Sequence, residues 1–150
     1  MSFMDPREQL LLRQQLEYLA VDFWHEIDAN DGRDAARYYV EDAVFATSIR
    51  EYRGRQAIHD FYTRREQRGS RLSLHLVQNF RIEAIESDTR VRCAYVMSLF
   101  AADGEPVLPS RPAIMVAIAD EVVVRQGDGT WLYESRRLKP LFRDETPTTG

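Results

Sequence analysis

Arg71-Leu72-Ser73-Leu74-His75-Leu76-Val77-Gln78-Asn79-Phe80-Arg81-Ile82-Glu83-Ala84 is where the chain changes its period. Apolar and polar residues alternate well enough here for a β-strand, whose side chains point to opposite faces in turn. The chain before this point reads mainly as helix, and the chain after it reads as strand. Residues 90–101 form the next expected strand, after the turn signal Ser87-Asp88. A turn at Ala102-Asp103-Gly104-Glu105-Pro106 and a loop to Ser110 lead to residues 113–125, a nearly unbroken apolar run rich in valine and isoleucine. Gln126-Gly127-Asp128-Gly129 is a hairpin signal, and residues 131–141 form the last expected strand.

Upstream, residues 7–28 predict one long amphipathic helix. Leu12, Leu16, Leu19, Ala20, Phe23 and Ile27 recur at three- and four-residue steps. Asp5 can cap this helix, with Pro6 at its first position. It should stop near Asn30-Asp31-Gly32. A second short helix is expected over residues 33–40, then a strand over 43–47 and a turn at Tyr52-Arg53-Gly54. Residues 55–68 predict a third helix, with Ile58, Phe61 and Tyr62 on one side and Arg64, Arg65 and Arg68 on the other. Gly69-Ser70 ends it. Helices segregated from a long antiparallel sheet make an α+β domain. The sheet should curl around the helices and leave a conical space.

The chain of 150 residues fits one domain, residues 1–150, with a polar tail over 144–150 expected to fray. Hydrophobic residues are 44% and charged residues 29%, which excludes a disordered or collagen-like chain. The single cysteine, Cys93, cannot form an internal disulfide. No apolar run approaches the ~18 residues of a membrane span. The start, MSFMDPREQ, has no apolar core of a secretory leader. A cytoplasmic protein is therefore expected. The net charge of −4 argues against a nucleic-acid binder.

A strand with one wet face should alternate, and residues 113–124 scarcely do. Both faces are then expected to be covered, one by the helices and the other by a partner copy. This predicts a homodimer through the outer face of the sheet, with aggregation of the monomer as the competing outcome.

Nucleotide, P-loop, zinc-protease, CxxC and nucleophile-elbow motifs are all missing from the sequence. His25, His59 and His75 are scattered singly, so neither a metal nor a cofactor is expected. His75 stands out because it interrupts an apolar strand. Strand geometry places Ser73, His75 and Val77 on one face and Leu72, Leu74 and Leu76 on the other. An imidazole there suits general acid or base work. A core histidine bonded to a backbone carbonyl is the other reading. Asp28 follows Trp24 by one helical turn and can face inward at the helix end. The dipole there is negative, so an inward acid needs a compensating donor. A histidine across the cavity would serve, and a solvated turn residue is the alternative. Asp120 interrupts the apolar run and either faces the cavity with a raised pKa or, with Glu121, marks a bulge or kink. Trp24, Phe45, Tyr62, Tyr95 and Met97 are candidates to shape a pocket for a small hydrophobic molecule. Cys93 reads as a buried inert thiol, and Arg64-Arg65 and Arg136-Arg137 as solvated faces or ion pairs.

From about Gln9 to Arg143 the chain resembles the NTF2-like, SnoaL-type cone. The resemblance lies in the helix ending Asp28-Ala29-Asn30-Asp31, in Tyr39-Val40-Glu41-Asp42-Ala43-Val44-Phe45, and in Tyr52-Arg53-Gly54-Arg55-Gln56-Ala57-Ile58. It continues in Ser73-Leu74-His75-Leu76-Val77-Gln78-Asn79 and Gly127-Asp128-Gly129-Thr130-Trp131. It implies three N-terminal helices packed in a strongly curved, mixed but mainly antiparallel sheet. Scytalone dehydratase and related lyases of this fold carry an aspartate at the end of the first helix and a histidine on the first long strand. They use the pair to remove a proton from carbon in an elimination. Asp28 and His75 stand at the matching places. The resemblance therefore implies a cofactor-free dehydratase- or cyclase-type lyase or isomerase acting on a small cyclic hydroxy or keto compound.

This sequence departs from scytalone dehydratase at Ile27 and Thr47, near which that enzyme has tyrosines, and at Phe100 or Ala101, near its second histidine. SnoaL-type cyclases and ketosteroid isomerases use an aspartate on a later strand, a place that Asp120 would fill. The small subunits of ring-hydroxylating dioxygenases also share the fold, which keeps a non-catalytic binding or assembly subunit as the second reading.

Overall fold

The first long helix, α1, spans Pro6–Asn30 in the computed structural model, which describes residues 4–148. Its start is a reciprocal capping box. The Asp5 carboxylate accepts from the backbone of Arg7 at 2.7 Å and of Glu8 at 3.0 Å, while the Asp5 N–H donates to Glu8 at 2.9 Å. The end is a left-handed Asp31 followed by Gly32 at φ +71°. Gly32 has a second reason to be glycine, since a Cβ there would lie 2.7 Å from Cδ1 of Tyr62.

The second helix expected over 33–40 is instead a single 3-10 turn, Ala35–Tyr38. Strand β1 (Tyr39–Ala46) begins immediately after it, with Tyr39 in register with Tyr133. Pairing with the sheet claims Tyr39 and Val40, and the few residues left cannot sustain an isolated helix. The molecule thus has two α-helices rather than three. Strand β2 (Glu51–Arg53) takes up most of the expected turn, and α2 runs over Arg55–Glu66.

Four long strands follow: β3 (Arg71–Ser87), β4 (Arg90–Asp103), β5 (Met115–Arg125) and β6 (Trp131–Arg143). Three of them end two or three residues beyond the lengths read from the sequence. The sheet order is β2-β1-β6-β5-β4-β3, antiparallel except where β1 meets β6. The β3–β4 register slips between Gln78 and Arg81, where Asn79 adopts φ 55°. An extra residue in one strand bends it and increases its twist, which curls the sheet around α1.

The cone's core is dominated by aromatic rings. Phe23 is fully buried and meets Trp24, Tyr38, Tyr39, Tyr62 and Tyr133 edge-on, with centroids 5.0–6.3 Å away. Edge-to-face pairs suit the ring quadrupoles, and truncating such a residue costs about 3–5 kcal/mol.

The outer face of the sheet is open in the single chain. Leu72 and Leu74 are 42% and 52% exposed, and Val96, Ile118 and Val122 are half-buried. Residues 144–148 of the tail are mostly exposed and touch the body at two places. Asp144 N–H donates to the Ile114 carbonyl at 2.9 Å, and Thr148 borders the central cavity. Residues 149–150 lie outside the described residues.

Candidate active site

Asp28 and His75 meet, though they are 47 residues apart in the chain. Asp28 is carried inward by the helical spacing that also buries Trp24 and Ile27. His75 is carried inward by β3, on the same face as the buried Ser73, while Leu72 and Leu74 point outward. Apolar character would have put the leucines inside. The pleat instead turns Ser73, His75 and Val77 toward the helices, because the polar pair has partners on α1.

Those partners satisfy the Asp28 carboxylate completely. His75 Nδ1 lies 2.6 Å from Oδ1, the His75 backbone N–H donates to Oδ2 at 2.7 Å, and Ser73 Oγ–H donates to Oδ1 at 3.1 Å. Arg65 Nη2 in turn donates to Ser73 Oγ at 2.7 Å. The Asp28 and His75 side chains are only 11% and 7% exposed. A charged carboxylate at a helix C-terminus is unfavourable alone, and these donors compensate it.

With Nδ1 turned to the carboxylate, Nε2 is directed the other way. Among the described residues it has no hydrogen-bond partner, it is not sealed from solvent, and His75 lines the central cavity. Trp24 stacks on the imidazole, with centroids 4.2 Å apart and planes 12° from parallel. Burial pushes the His75 pKa below its ordinary value, with the Asp28 hydrogen bond and charge opposing that shift. The ring is therefore neutral near neutral pH, with a basic nitrogen facing the cavity.

The cavity is about 80 Å³. Trp24, Ile27, Phe45, Tyr62 and Met97 contribute to its wall, and Thr47, Ser48, Arg65 and Arg143 bring the polar groups. An apolar cavity of about 150 Å³ holds benzene, so this one suits at most a single small ring once side chains at its mouth turn aside. A larger groove, about 1180 Å³, runs between α1 and the distal half of β3, away from the Asp28–His75 pair. Tyr62 faces the cavity with a phenol that burial pushes up to about 12, so it stays a neutral donor.

Tyr95 does not line the cavity. It lies behind Trp24, accepting the indole N–H at 2.8 Å and donating to Glu121 Oε2 at 2.8 Å. Asp120 is also displaced from the expected place. Ala117, Ala119, Glu121 and Val123 form the inward face of β5, so Asp120 points outward and pairs with Lys139. There is no bulge at Asp120; the β5–β6 irregularities fall at Val116/Ala117 and Val122/Val123.

The inward acid is Glu121, in register with Arg136, and both are buried and ion-paired. Arg136 also lies over the rings of Phe23 at 3.7 Å and Tyr133 at 4.1 Å. Counting alternate positions from Ala119 would have selected Glu121 from the sequence. Nothing local in Arg136-Arg137 distinguishes the buried residue from the exposed one, which pairs with Glu51. Likewise Arg64 is exposed while Arg65 turns inward. Cys93 is buried, and burial raises its thiol pKa, so it is inert. Among the described residues no three His, Cys, Asp or Glu side chains converge as metal ligands. No helix among them is long and apolar enough to cross a membrane.

A model of the SnoaL-like domain matches residues 8–137. The chain belongs to the SnoaL-like family. Solved structures with the same cone accompany this assignment. ActVI-ORFA from Streptomyces coelicolor is 15% identical, with a TM-score of 0.74 over 87% of this chain and 98% of that one. A protein from Novosphingobium aromaticivorans, named provisionally as a scytalone dehydratase, is 20% identical with a TM-score of 0.79 over 93% and 91%. A Catenulispora acidiphila protein in complex with S-DNPA is 24% identical with a TM-score of 0.69 over 88% and 95%. At these identities the likeness is one of fold. No curated protein sequence matches the chain. The SnoaL-like domain has the NTF2-like cone fold, and His75, held by Asp28 at 2.6 Å, lines its cavity.

Proposed function

We propose that this SnoaL-like protein is a cofactor-free lyase or isomerase of dehydratase or cyclase type, with His75 as general base. The observation that carries this reading is the 2.6 Å contact between His75 Nδ1 and Asp28 Oδ1, with Nε2 left to the cavity. Asp28 holds the tautomer in which Nε2 is unprotonated and stabilises the imidazolium as it forms. Nε2 takes a proton from the carbon beside a substrate carbonyl. The C–H electrons become the new C=C bond, and the hydroxyl on the next carbon leaves with the proton returned by the imidazolium, as water. In an isomerase the same proton returns to a different carbon. Trp24, Phe45, Tyr62 and Met97 shape the site, and the neutral Tyr62 phenol suits hydrogen bonding to the carbonyl oxygen. Tyr95 acts from behind by holding Trp24. Asp120 takes no part, because it faces the opposite side of the sheet.

The cavity supports a small, single-ring hydroxy or keto compound rather than a polycyclic one. The half-buried and exposed apolar residues of the outer sheet face support a homodimer formed through that face. The test is a screen of cyclic β-hydroxy ketones with the parent protein and with His75→Ala. Turnover lost in His75→Ala at an unchanged thermal midpoint is the expected result. Turnover that survives the substitution overturns the reading.

A further inference from the structure

Two guanidinium groups border the cavity onto which His75 opens. Arg65 comes from the last turn of α2 and Arg143 from the end of β6. Neither forms an ion pair with a carboxylate among the described residues. Each is held by a serine hydroxyl instead, Arg65 by Ser73 at 2.7 Å and Arg143 by Ser48 at 3.3 Å. A guanidinium has five N–H donors, so most remain unused on both. Nearby arginines differ in this respect, since Arg33, Arg136 and Arg137 are paired with Glu66, Glu121 and Glu51.

Among the described residues no aspartate or glutamate lines the cavity. The one acid close to it, Asp28, has both oxygens occupied by donors from His75 and Ser73. The remaining wall is largely apolar, with Ile27, Phe45, Leu99, Met115 and Leu138. Two guanidinium charges against the one Asp28 carboxylate, which reaches Arg65 only through the Ser73 hydroxyl, leave the cleft net positive, and that field acts on whatever enters. Arg65 is half-buried and braced by Ser73, so its planar fork is already oriented. Arg143 is exposed and stands toward solvent.

We infer that the cavity takes a small-ring organic acid, whose carboxylate is held by Arg65 while Arg143 attracts it from solvent. This rests on the reading of the cavity as the substrate site, and it narrows the substrate class from neutral ketones to carboxylates. Arg65 is then a binding residue that orients the ring edge toward Nε2 of His75. A bidentate guanidinium–carboxylate pair supplies both charge and direction.

Calorimetric titration of the intact protein with benzoate and with its neutral isostere benzamide tests this without any turnover. Benzoate should bind about ten-fold tighter than benzamide, and added salt should narrow the gap. Arg65→Gln should weaken benzoate about ten-fold and leave benzamide unchanged, and Arg143→Gln should weaken benzoate less. Arg65→Lys keeps the charge without the fork and should fall between, so the comparison survives if Arg65→Gln is poorly folded. His75→Asn should retain the benzoate preference, which separates this inference from the general-base reading. Equal binding of the two probes, absence of saturable benzoate binding, or a benzoate preference unaffected in all three arginine variants overturns it.

Discussion

Trp24 lies flat against His75, and its indole N–H is anchored by the Tyr95 hydroxyl. The hydroxyl donates onward to Glu121 Oε2, the same oxygen that Arg136 holds. The imidazole is thus clamped on its face by Trp24 and on its edge by Asp28. Its orientation depends on a charged pair at the floor of the cone that never reaches the cavity. Tyr95→Phe keeps the ring but leaves the Trp24 N–H and Glu121 each short of a partner. A loss of about 1–3 kcal/mol is expected in urea unfolding. A change in tryptophan emission should accompany it. Unchanged stability and emission would show that the hydroxyl does not hold the indole.

Asp28→Asn tests the edge of the clamp without a substrate. Burial lowers the His75 pKa, and Asp28 offsets part of that by hydrogen bonding to the ring and by its charge. Removing the charge should lower the pKa further. An NMR titration of the ring nitrogens reads this directly, and an upward shift would contradict the assigned contact.

The same shift makes stability depend on pH. The folded His75 binds a proton less readily than the unfolded one, whose pKa is 6.5. Above that pH the group is neutral in both states and costs nothing. As pH falls from 6.5 through the lower folded value, the unfolded state takes up more protons and stability drops. Urea midpoints of the parent, set against His75→Gln, should show this loss only in the parent.

Gly32→Ala should be costly for two reasons. A φ of +71° strains any L side chain, by about 1–3 kcal/mol. The added Cβ would also meet Cδ1 of Tyr62 at 2.7 Å, and Tyr62 is a wall of the cavity. Thermal unfolding should show the destabilisation, and ligand binding should weaken along with it. A neutral outcome would mean that the α1 exit relaxes freely.

Glu121→Gln leaves the buried Arg136 charge without its carboxylate, which should cost about 3–5 kcal/mol. Replacing both, with Glu121→Leu and Arg136→Met, should cost clearly less, because no lone charge remains buried. Comparing the single and double variants by denaturant unfolding decides it. If the double variant is the less stable, the ion pair itself holds the floor together.

The sequence by itself determined the order of elements, the change from helical to strand period near Arg71, and the hairpin at 126–129. It also determined which residues of β3 share a face, because a strand's period of two needs no partner to be read. The cap at Asp5, the stop at Gly32 and the inward set of α1 were legible for the same reason: each is set by neighbours within one or two turns. The 3-10 turn at Ala35–Tyr38 was not, because the pull on Tyr39 comes from β6, almost a hundred residues on. Only the tertiary structure decided which face of β3 is inside, since hydrophobicity favoured Leu72 and Leu74 while hydrogen bonding to Asp28 favoured Ser73 and His75. Only it separated Glu121 from Asp120, Arg136 from Arg137, and Arg65 from Arg64. Adjacent residues of like charge look alike in a sequence. Their fates differ because the curved sheet and the packed helix present one of each pair to the core and the other to water.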